Sequence, residues 1–334
     1  MLDHLRRFCL LGIGGSGMLP LAILLRQAGF EVQGSDRTLT DEQRSTLSAY
    51  GIRVVFDDAG ESLSGVDGLV DCLVISPAIA RHHPTVRRAQ RLNMPVFYRS
   101  QMLARLLEGR PTVGVAGSHG KSTTVAMLVQ ILRFAGMPFG YMIGAPLAGM
   151  PQARLGSPES VFVLEACEAH GSLNDWHCCH AVVTNIDREH DMHYGGFTEL
   201  KAAFKGFVER VPADGMVVVC ADDPVINHLL RHRSGAQTYG FQPSNRWCLK
   251  RLGSDAPPSG TGANHSAQLI HDGGWVGELS LQVPGDHNAL NATAAFTVAV
   301  GLGVPQSTAL EALAEFVGVA RRLQPLGNFA GVAV

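Results

Sequence analysis

The chain has 334 residues, 46% of them hydrophobic, with 27 Lys and Arg against 29 Asp and Glu and a formal net charge of −2. That is apolar material for roughly two domains of about 150 residues each, and it excludes an intrinsically disordered chain. The even charge balance leaves no field of one sign to recruit nucleic acid or an anionic membrane, so binding must come from local sites.

The N-terminal "MLDHLRRFCLLGIGGSGM" reaches its glycines after only five apolar residues and carries no small-residue cleavage site, so it reads as a first strand rather than a secretory leader. From residue 5 to 110, "RFCLLGIG", "MLPLAILLRQAG", "EVQGSD", "IRVVF", "CLVISPAI" and "MPVFYR" alternate short apolar runs with helical patterns, the βαβ rhythm of a parallel sheet. Gly29 stops the first helix, and "LLEGRP" at 106–111 fits a linker. A second α/β rhythm starts at Thr112: strand "TVGVAG", a helix from about Ser122 to Ala135, then strands "VFVLEA", "AVVTNI" and "MVVVCADD". Two sheets are implied. Gln237 to Val283 reads as short hairpins around a loop, "GSDAPPSGTGANHS", and two helices follow.

The longest uncharged run, Asn288 to Leu310, holds three polar residues in its first six and Pro305, which argues against a membrane span. Seven cysteines scattered in apolar runs suggest reduced, buried thiols and a cytoplasmic protein. The apolar, strand-like end "LQPLGNFAGVAV" leads us to expect a further domain beyond it.

"GIGGSGM", Gly12 to Met18, sits where a dinucleotide fingerprint would, with its spacing off by one. Its glycines would let a pyrophosphate approach the helix N-terminus, with Asp36 meeting a ribose or base; the same glycines also serve a plain strand-to-helix turn. "GSHGKS" lies between an apolar strand and an apolar helix but has Val115 where the general phosphate loop has its first glycine. There Gly117 and Gly120 would curl the main chain around phosphate oxygens, Lys121 would touch the β/γ-phosphates, and Ser122 would offer a hydroxyl to Mg²⁺.

A metal also needs an acidic partner at a neighbouring strand end. "VFVLEACEAHG" supplies Glu165, read as a strand-end group, and Glu168 past the strand, within reach of a metal. "TNIDREHDMHY" adds Asn185, Asp187, Glu189, His190 and His193. The group Cys167, His170, His177, Cys178, Cys179, His180, His190 and His193 raises a zinc reading, but without a C-x-x-C pair ordinary core and surface roles are preferred. Asn291, with Asn288 and His287 at a helix start, either meets an adenine edge or is a satisfied buried amide. Arg321 and Arg322 either clamp a phosphate or form a solvated hinge.

Taken together and in this order, these pieces resemble the Mur ligase superfamily over nearly the whole chain, most closely the branch that joins L-alanine to UDP-N-acetylmuramate. "GIGGSGM", "GSD" at 34–36, "VISPAI", "RSQMLARLL", "GSHGKSTT", "TNIDREHDMHY", "GDHNALNATAA" and "VARRLQPLG" carry the resemblance. "GSHGKS" is similar to the family's short loop, G-[ST]-x-G-K-[ST], which accounts for the missing glycine. The resemblance implies an α/β chain with a Rossmann-like parallel-sheet domain binding the UDP sugar at 1–108. A P-loop-type α/β ATPase domain with a small antiparallel hairpin region would follow at 109–318, and 319–334 would begin an otherwise absent C-terminal ligase domain.

It further implies that Gly117, Ser118, His119, Gly120, Lys121, Ser122 and Thr123 hold ATP phosphates. Ser122 and Glu168 would hold one Mg²⁺, and His190 a second metal or the acyl-phosphate region, so that Lys121, Glu168 and His190 form the catalytic set. Asn291 and His287 would meet the adenine, Arg322 the γ-phosphate, and Gly14, Gly15, Ser16, Gly17, Met18, Asp36 and Ser76 the UDP sugar. The implied cofactors are ATP and Mg²⁺; the partners are UDP-N-acetylmuramate and L-alanine, with no nucleic acid and no membrane insertion.

The chain departs from the family's D-E-S-D run with "CEAH", which keeps Glu168 but places Cys167, Ala169 and His170 around it, and it has Glu189 where Asp is usual. Three rivals stand beside this reading. They are a recycling ligase that adds a whole tripeptide to the same UDP sugar, a nucleotide-binding regulator without catalysis, and an NAD-dependent dehydrogenase, which leaves "GSHGKS" without a role.

Overall fold

The computed structural model describes residues 4–56, 60–65, 68–144, 149–230, 233, 235–252, 265–319, 328–329 and 332–333. The chain divides into two compact units, Met1–Arg110 with Gln152–Leu155, and Pro111–Pro151 with Gly156–Val334.

In the first unit, β1 (Arg7–Leu11), β2 (Glu31–Ser35), β3 (Arg53–Val54), β4 (Cys72–Ile75) and β5 (Val96–Tyr98) form a parallel sheet in the order β3-β2-β1-β4-β5. Helices α1 (Met18–Gln27), α2 (Asp41–Ala49) and α3 (Pro84–Arg91) lie on the connections between strands, and α4 (Arg99–Leu106) follows β5. The "CLLGIG" run is apolar on both sides because β1 is the middle strand, buried on both faces. Cys9 and Leu11 pack in a cluster with Leu63, Leu73, Ile75 and Val86. The alternate residues Phe8 and Leu10 are fully buried too, and Phe8 meets Phe30 edge-on at 5.0 Å. Each such side chain contributes about 1.5–3 kcal/mol of burial. "IRVVF" pairs only at Arg53–Val54, so this edge is shorter than its apolar run suggests.

The second unit contains β6 (Thr112–Ala116), α5 (Lys121–Phe134), β7 (Phe139–Met142), β8 (Val161–Glu165), β9 (His180–Val183) and α6 (Phe197–Glu209). Then come β10 (Val217–Cys220), α7 (Pro224–Leu229), β11 (Ala236–Gly240), β12 (Trp247–Arg251), β13 (His265–His271), β14 (Gly274–Leu281), α8 (Asp286–Gly301) and α9 (Gln306–Ala314). The strands run β7-β8-β6-β9-β10-β11-β12-β13-β14. All pairs up to β12 are parallel, and the last two are antiparallel.

Strand β6 lies between β8 and β9, where successive connections depart in opposite directions. Such a switch point opens a crevice at the carboxyl end of a parallel sheet. At β6 that end is Gly117–Gly120. Helix α8 carries buried residues almost all round, as expected of a core helix, and its Thr293 and Thr297 hydroxyls donate to the carbonyls of Ala289 and Thr293.

The expectation of hairpins from Gln237 onward needs correction only at its start, where β11 and β12 continue the parallel run. The Asp222 carboxylate accepts from Phe241 N, Gln242 N and Asn245 Nδ2, pinning the turn so that the chain advances to the next strand instead of reversing. From β12 onward the hairpins stand as expected: β12 pairs antiparallel with β13 around "GSDAPPSGTGANHS", most of which lies outside the described residues, and β13 pairs antiparallel with β14. The seven cysteines form no disulfide among the described residues, with Cys9, Cys72, Cys178 and Cys220 buried. Burial pushes the Cys178 and Cys220 thiols up to about 12, so both stay protonated and inert. Among the described residues no helix is long and apolar enough to cross a membrane.

Candidate active site

After β6 the chain turns through Gly117 (φ 141°) and Gly120 (φ 83°) into α5, whose N-terminus carries no side-chain cap. A Cβ at Gly117 would lie 2.0 Å from Thr184 Oγ1, and one at Gly120 would lie 2.4 Å from Asn291 Oδ1, so neither position admits a side chain. The loop is laced to the segment after β9. Ser118 N donates to Asn185 O (3.1 Å) and Asp187 N donates to Ser118 Oγ (2.8 Å). His119 is clamped on both sides: its N–H donates to Asn185 Oδ1 (2.7 Å), while its carbonyl accepts from Asn185 Nδ2 (3.0 Å) and Thr184 Oγ1 (2.6 Å). Asn185 was legible as a strand-tip residue; its part in shaping the loop was not.

Lys121, the first residue of α5, turns its ammonium back over the loop. Nζ donates to the carbonyls of Gly117 and of Ser118 (3.1 Å) and to Glu168 Oε1 (3.1 Å), and lies 2.9 Å from Glu168 Oε2. Glu168 is wholly buried. Its Oε2 has the ion pair but no well-directed hydrogen bond, and Tyr194 Oη donates to its main-chain carbonyl at 2.7 Å. Burial raises the Tyr194 phenol further, keeping it a donor.

Ligand atoms of Glu168, Glu189 and His190 all lie within 4.8 Å of one another. His190 (φ 63°) and His170 (φ 57°) are both left-handed without being glycine, a conformation that surrounding contacts must hold in place. Their rings flank His193, at 4.4 Å for His170 and 5.9 Å for His190. A buried carboxylate oxygen without a hydrogen bond, beside a second carboxylate and an imidazole, suits a divalent cation. The eight-residue zinc group is not assembled among the described residues: only His190 of that set belongs to a cluster of metal-ligand type.

Ser122 is buried in the first turn of α5 and Thr123 is partly buried. Asn291 lies against Gly120, accepting from Thr124 Oγ1 at 3.3 Å, so this buried amide reaches the Gly117–Gly120 loop itself. His287 is exposed at the start of α8. Glu165 accepts from Gly144 N at 2.8 Å, in keeping with a strand-end group. Arg321 and Arg322 lie outside the described residues.

In the first unit, a cavity of about 290 Å³ opens at the carboxyl edge of its sheet, lined by Gly12, Asp36, Arg37, Phe56, Ile79 and His83 among others. Asp36 is on its wall, and its carboxylate accepts from Gly14 N (2.8 Å) and Thr38 N (3.1 Å), which shapes the glycine loop. Gly14–Met18 and Ser76 are not among the lining residues; Ser76 Oγ accepts from Ala78 N at 3.3 Å, which turns the chain at the rim. Arg37, Phe56 and His83 carried no motif that would have picked them out.

Residues 8–110 match the family model described as Mur ligase family, catalytic domain, and residues 115–299 match the Mur ligase middle domain. The chain is 40% identical to the UDP-N-acetylmuramate--L-alanine ligase of Kineococcus radiotolerans, over 99% of this chain and 69% of that protein. It is 37% identical to the enzyme of the same name from Acidothermus cellulolyticus, over 100% and 68%. Among solved structures it is similar to the UDP-N-acetylmuramate:L-alanyl-gamma-D-glutamyl-meso-diaminopimelate ligase from Neisseria meningitides (TM-score 0.82, 26% identity, 93% of this chain and 98% of that one). It is also similar to the UDP-N-acetylmuramate-alanine ligase from Thermotoga maritima (TM-score 0.81, 26% identity, 98% and 72%).

Proposed function

This chain belongs to the Mur ligase family, and from that premise we propose that it serves ATP-dependent amide formation between L-alanine and the lactyl carboxylate of UDP-N-acetylmuramate, in peptidoglycan precursor synthesis. In this reaction the carboxylate attacks the γ-phosphorus of ATP, giving an acyl phosphate and ADP. The amine of L-alanine then adds to the acyl carbon, and the tetrahedral intermediate expels phosphate and loses a proton. Most of the catalysis is positioning and neutralisation of phosphate charge.

The observation that carries the reading is the Lys121–Glu168 pair at the switch point of the sheet, beneath a loop whose two glycines admit no side chain. Lys121 would exchange its loop carbonyls for the β/γ-phosphates. Thr184 and Asn185 keep the loop in shape, and Asn291 supports it from below. Ser122, Glu168 and His190 would hold Mg²⁺, which supplies positive charge against the phosphates when bound. The cavity over Asp36 would take the UDP sugar.

The likeness to the Neisseria structure favours a second reading, in which the acceptor is the tripeptide its title names. Calorimetry with Mg-ATP and with UDP-N-acetylmuramate, followed by phosphate release with L-alanine or the tripeptide, tests both. Binding of both ligands with L-alanine-dependent release is expected; release only with the tripeptide selects the second reading, and failure to bind either ligand refutes the proposal.

A further inference from the structure

The family resemblance gives Glu189 no metal-binding role, yet the fold brings it, with its neighbour His190, from the connection after β9 to Glu168 on the connection after β8. We propose that Glu189 is the third protein ligand of a divalent-cation site with Glu168 and His190, one that forms without nucleotide and prefers Mn²⁺ to Mg²⁺. The inference rests on the ligase reading for the use of the site, but not for its existence.

Three observations carry it. Three donors spread evenly around one ion at about 2.1 Å lie about 3.6 Å from one another. The three donors already lie within 4.8 Å of one another, so a shift of well under an ångström by each would close the site. Glu189 and His190 are exposed side chains that can make those shifts; Glu168 is buried and fixed. Among the described residues Glu168 Oε2 has no hydrogen-bond donor besides its ion-pair partner Lys121, so it has coordination capacity to give. Among the described residues Glu189 Oε1 has only a loose contact with an exposed imidazole, 3.7 Å from His119 Nε2, which an ion would readily displace.

The donor set also carries the selectivity. Mg²⁺ favours oxygen ligands at near-ideal octahedral geometry and gives up water reluctantly, whereas an imidazole nitrogen beside two carboxylates suits a softer, more adaptable ion. A site with one carboxylate and one imidazole would need nucleotide phosphates to complete it; a second carboxylate makes it competent in the protein alone.

The test is titration of the nucleotide-free protein with Mn²⁺, followed by electron paramagnetic resonance. One Mn²⁺ per chain is expected, with Glu189→Gln weakening binding on the order of tenfold or more and Glu189→Asp retaining most of it. Mg²⁺ should displace Mn²⁺ only in large excess. Glu189 is exposed on a loop, so neither variant should unfold the chain, and circular dichroism checks this. Unchanged Mn²⁺ affinity in Glu189→Gln, or displacement by equimolar Mg²⁺, overturns the proposal. Amide synthesis in Mg-ATP without a Glu189-dependent Mn²⁺ site would overturn this inference alone, and such a site in a chain that binds neither ATP nor UDP sugar would overturn the ligase reading alone.

Discussion

Asn185→Ala probes whether the Gly117–Gly120 loop, which we propose holds ATP phosphates, is shaped before nucleotide arrives. The substitution removes two hydrogen bonds to His119, at 2.7 Å and 3.0 Å. A net contribution of about 0.5–1.5 kcal/mol each sets the range at about 1–3 kcal/mol. The His119 carbonyl keeps Thr184 Oγ1 at 2.6 Å, and the side chain of Asn185 is only partly buried, so the lower part of the range applies. Nucleotide binding must then restore an order that the wild type already has, and about 1–2 kcal/mol corresponds to roughly 5- to 30-fold weaker affinity. Calorimetry with Mg-ADP, with the melting temperature of the free chain recorded alongside, measures this. The melting point should fall by a few degrees at most, because the strands and α5 keep their packing. Affinity within twofold of wild type would refute preorganisation by Asn185. Tighter binding would refute it more strongly, since it would mean that the freed His119 N–H serves the phosphate better than the clamp does.

Gly120→Ala forces an L-residue to φ 83° and pushes Cβ to 2.4 Å from the Asn291 amide oxygen. About 1–2 kcal/mol of backbone strain plus the displaced amide should lower stability by about 2–4 kcal/mol in urea unfolding, and adding Asn291→Ala should recover part of it. Tyr194→Phe deletes the donor to the Glu168 carbonyl and should cost about 1 kcal/mol, with a larger loss in kcat than in the KM for ATP if that bond orients Glu168. Burial holds the His180 imidazole below its ordinary 6.5, with Asp214 pulling partly the other way, while Met216 N donates to its Nδ1 at 2.9 Å. The unfolded chain therefore takes up this proton first as pH falls, so the stability from neutral His180 is full above about pH 6.5 and declines below it. Unfolding free energies at pH 7.5 and 5.5 should differ more in wild type than in His180→Asn; equal differences would refute the assignment.

Much of this protein was legible locally. The short apolar run that opens "CLLGIG", stopped by glycines, forms a strand buried on both faces at Cys9–Leu11, and the two glycines before Lys121 take the positive φ that glycine permits. These depend on φ, on side-chain size and on neighbours a few residues away, which the order of amino acids states directly. At Asp36 the residue type did not by itself state that the carboxylate accepts from Gly14 N and Thr38 N.

What residues 168, 185 and 189 do was decided by tertiary structure. Lys121 meets Glu168 because β8 pairs with one side of β6, and Asn185 and Glu189 arrive because β9 pairs with the other. Asp222 turned an expected hairpin into one more parallel strand through three hydrogen bonds to residues about 20 positions away. Sequence spacing specifies elements because backbone torsion is local. It does not specify which strand ends share a crevice, because that follows from the order in which strands bury one another's faces, and only that order brought Glu189 to Glu168.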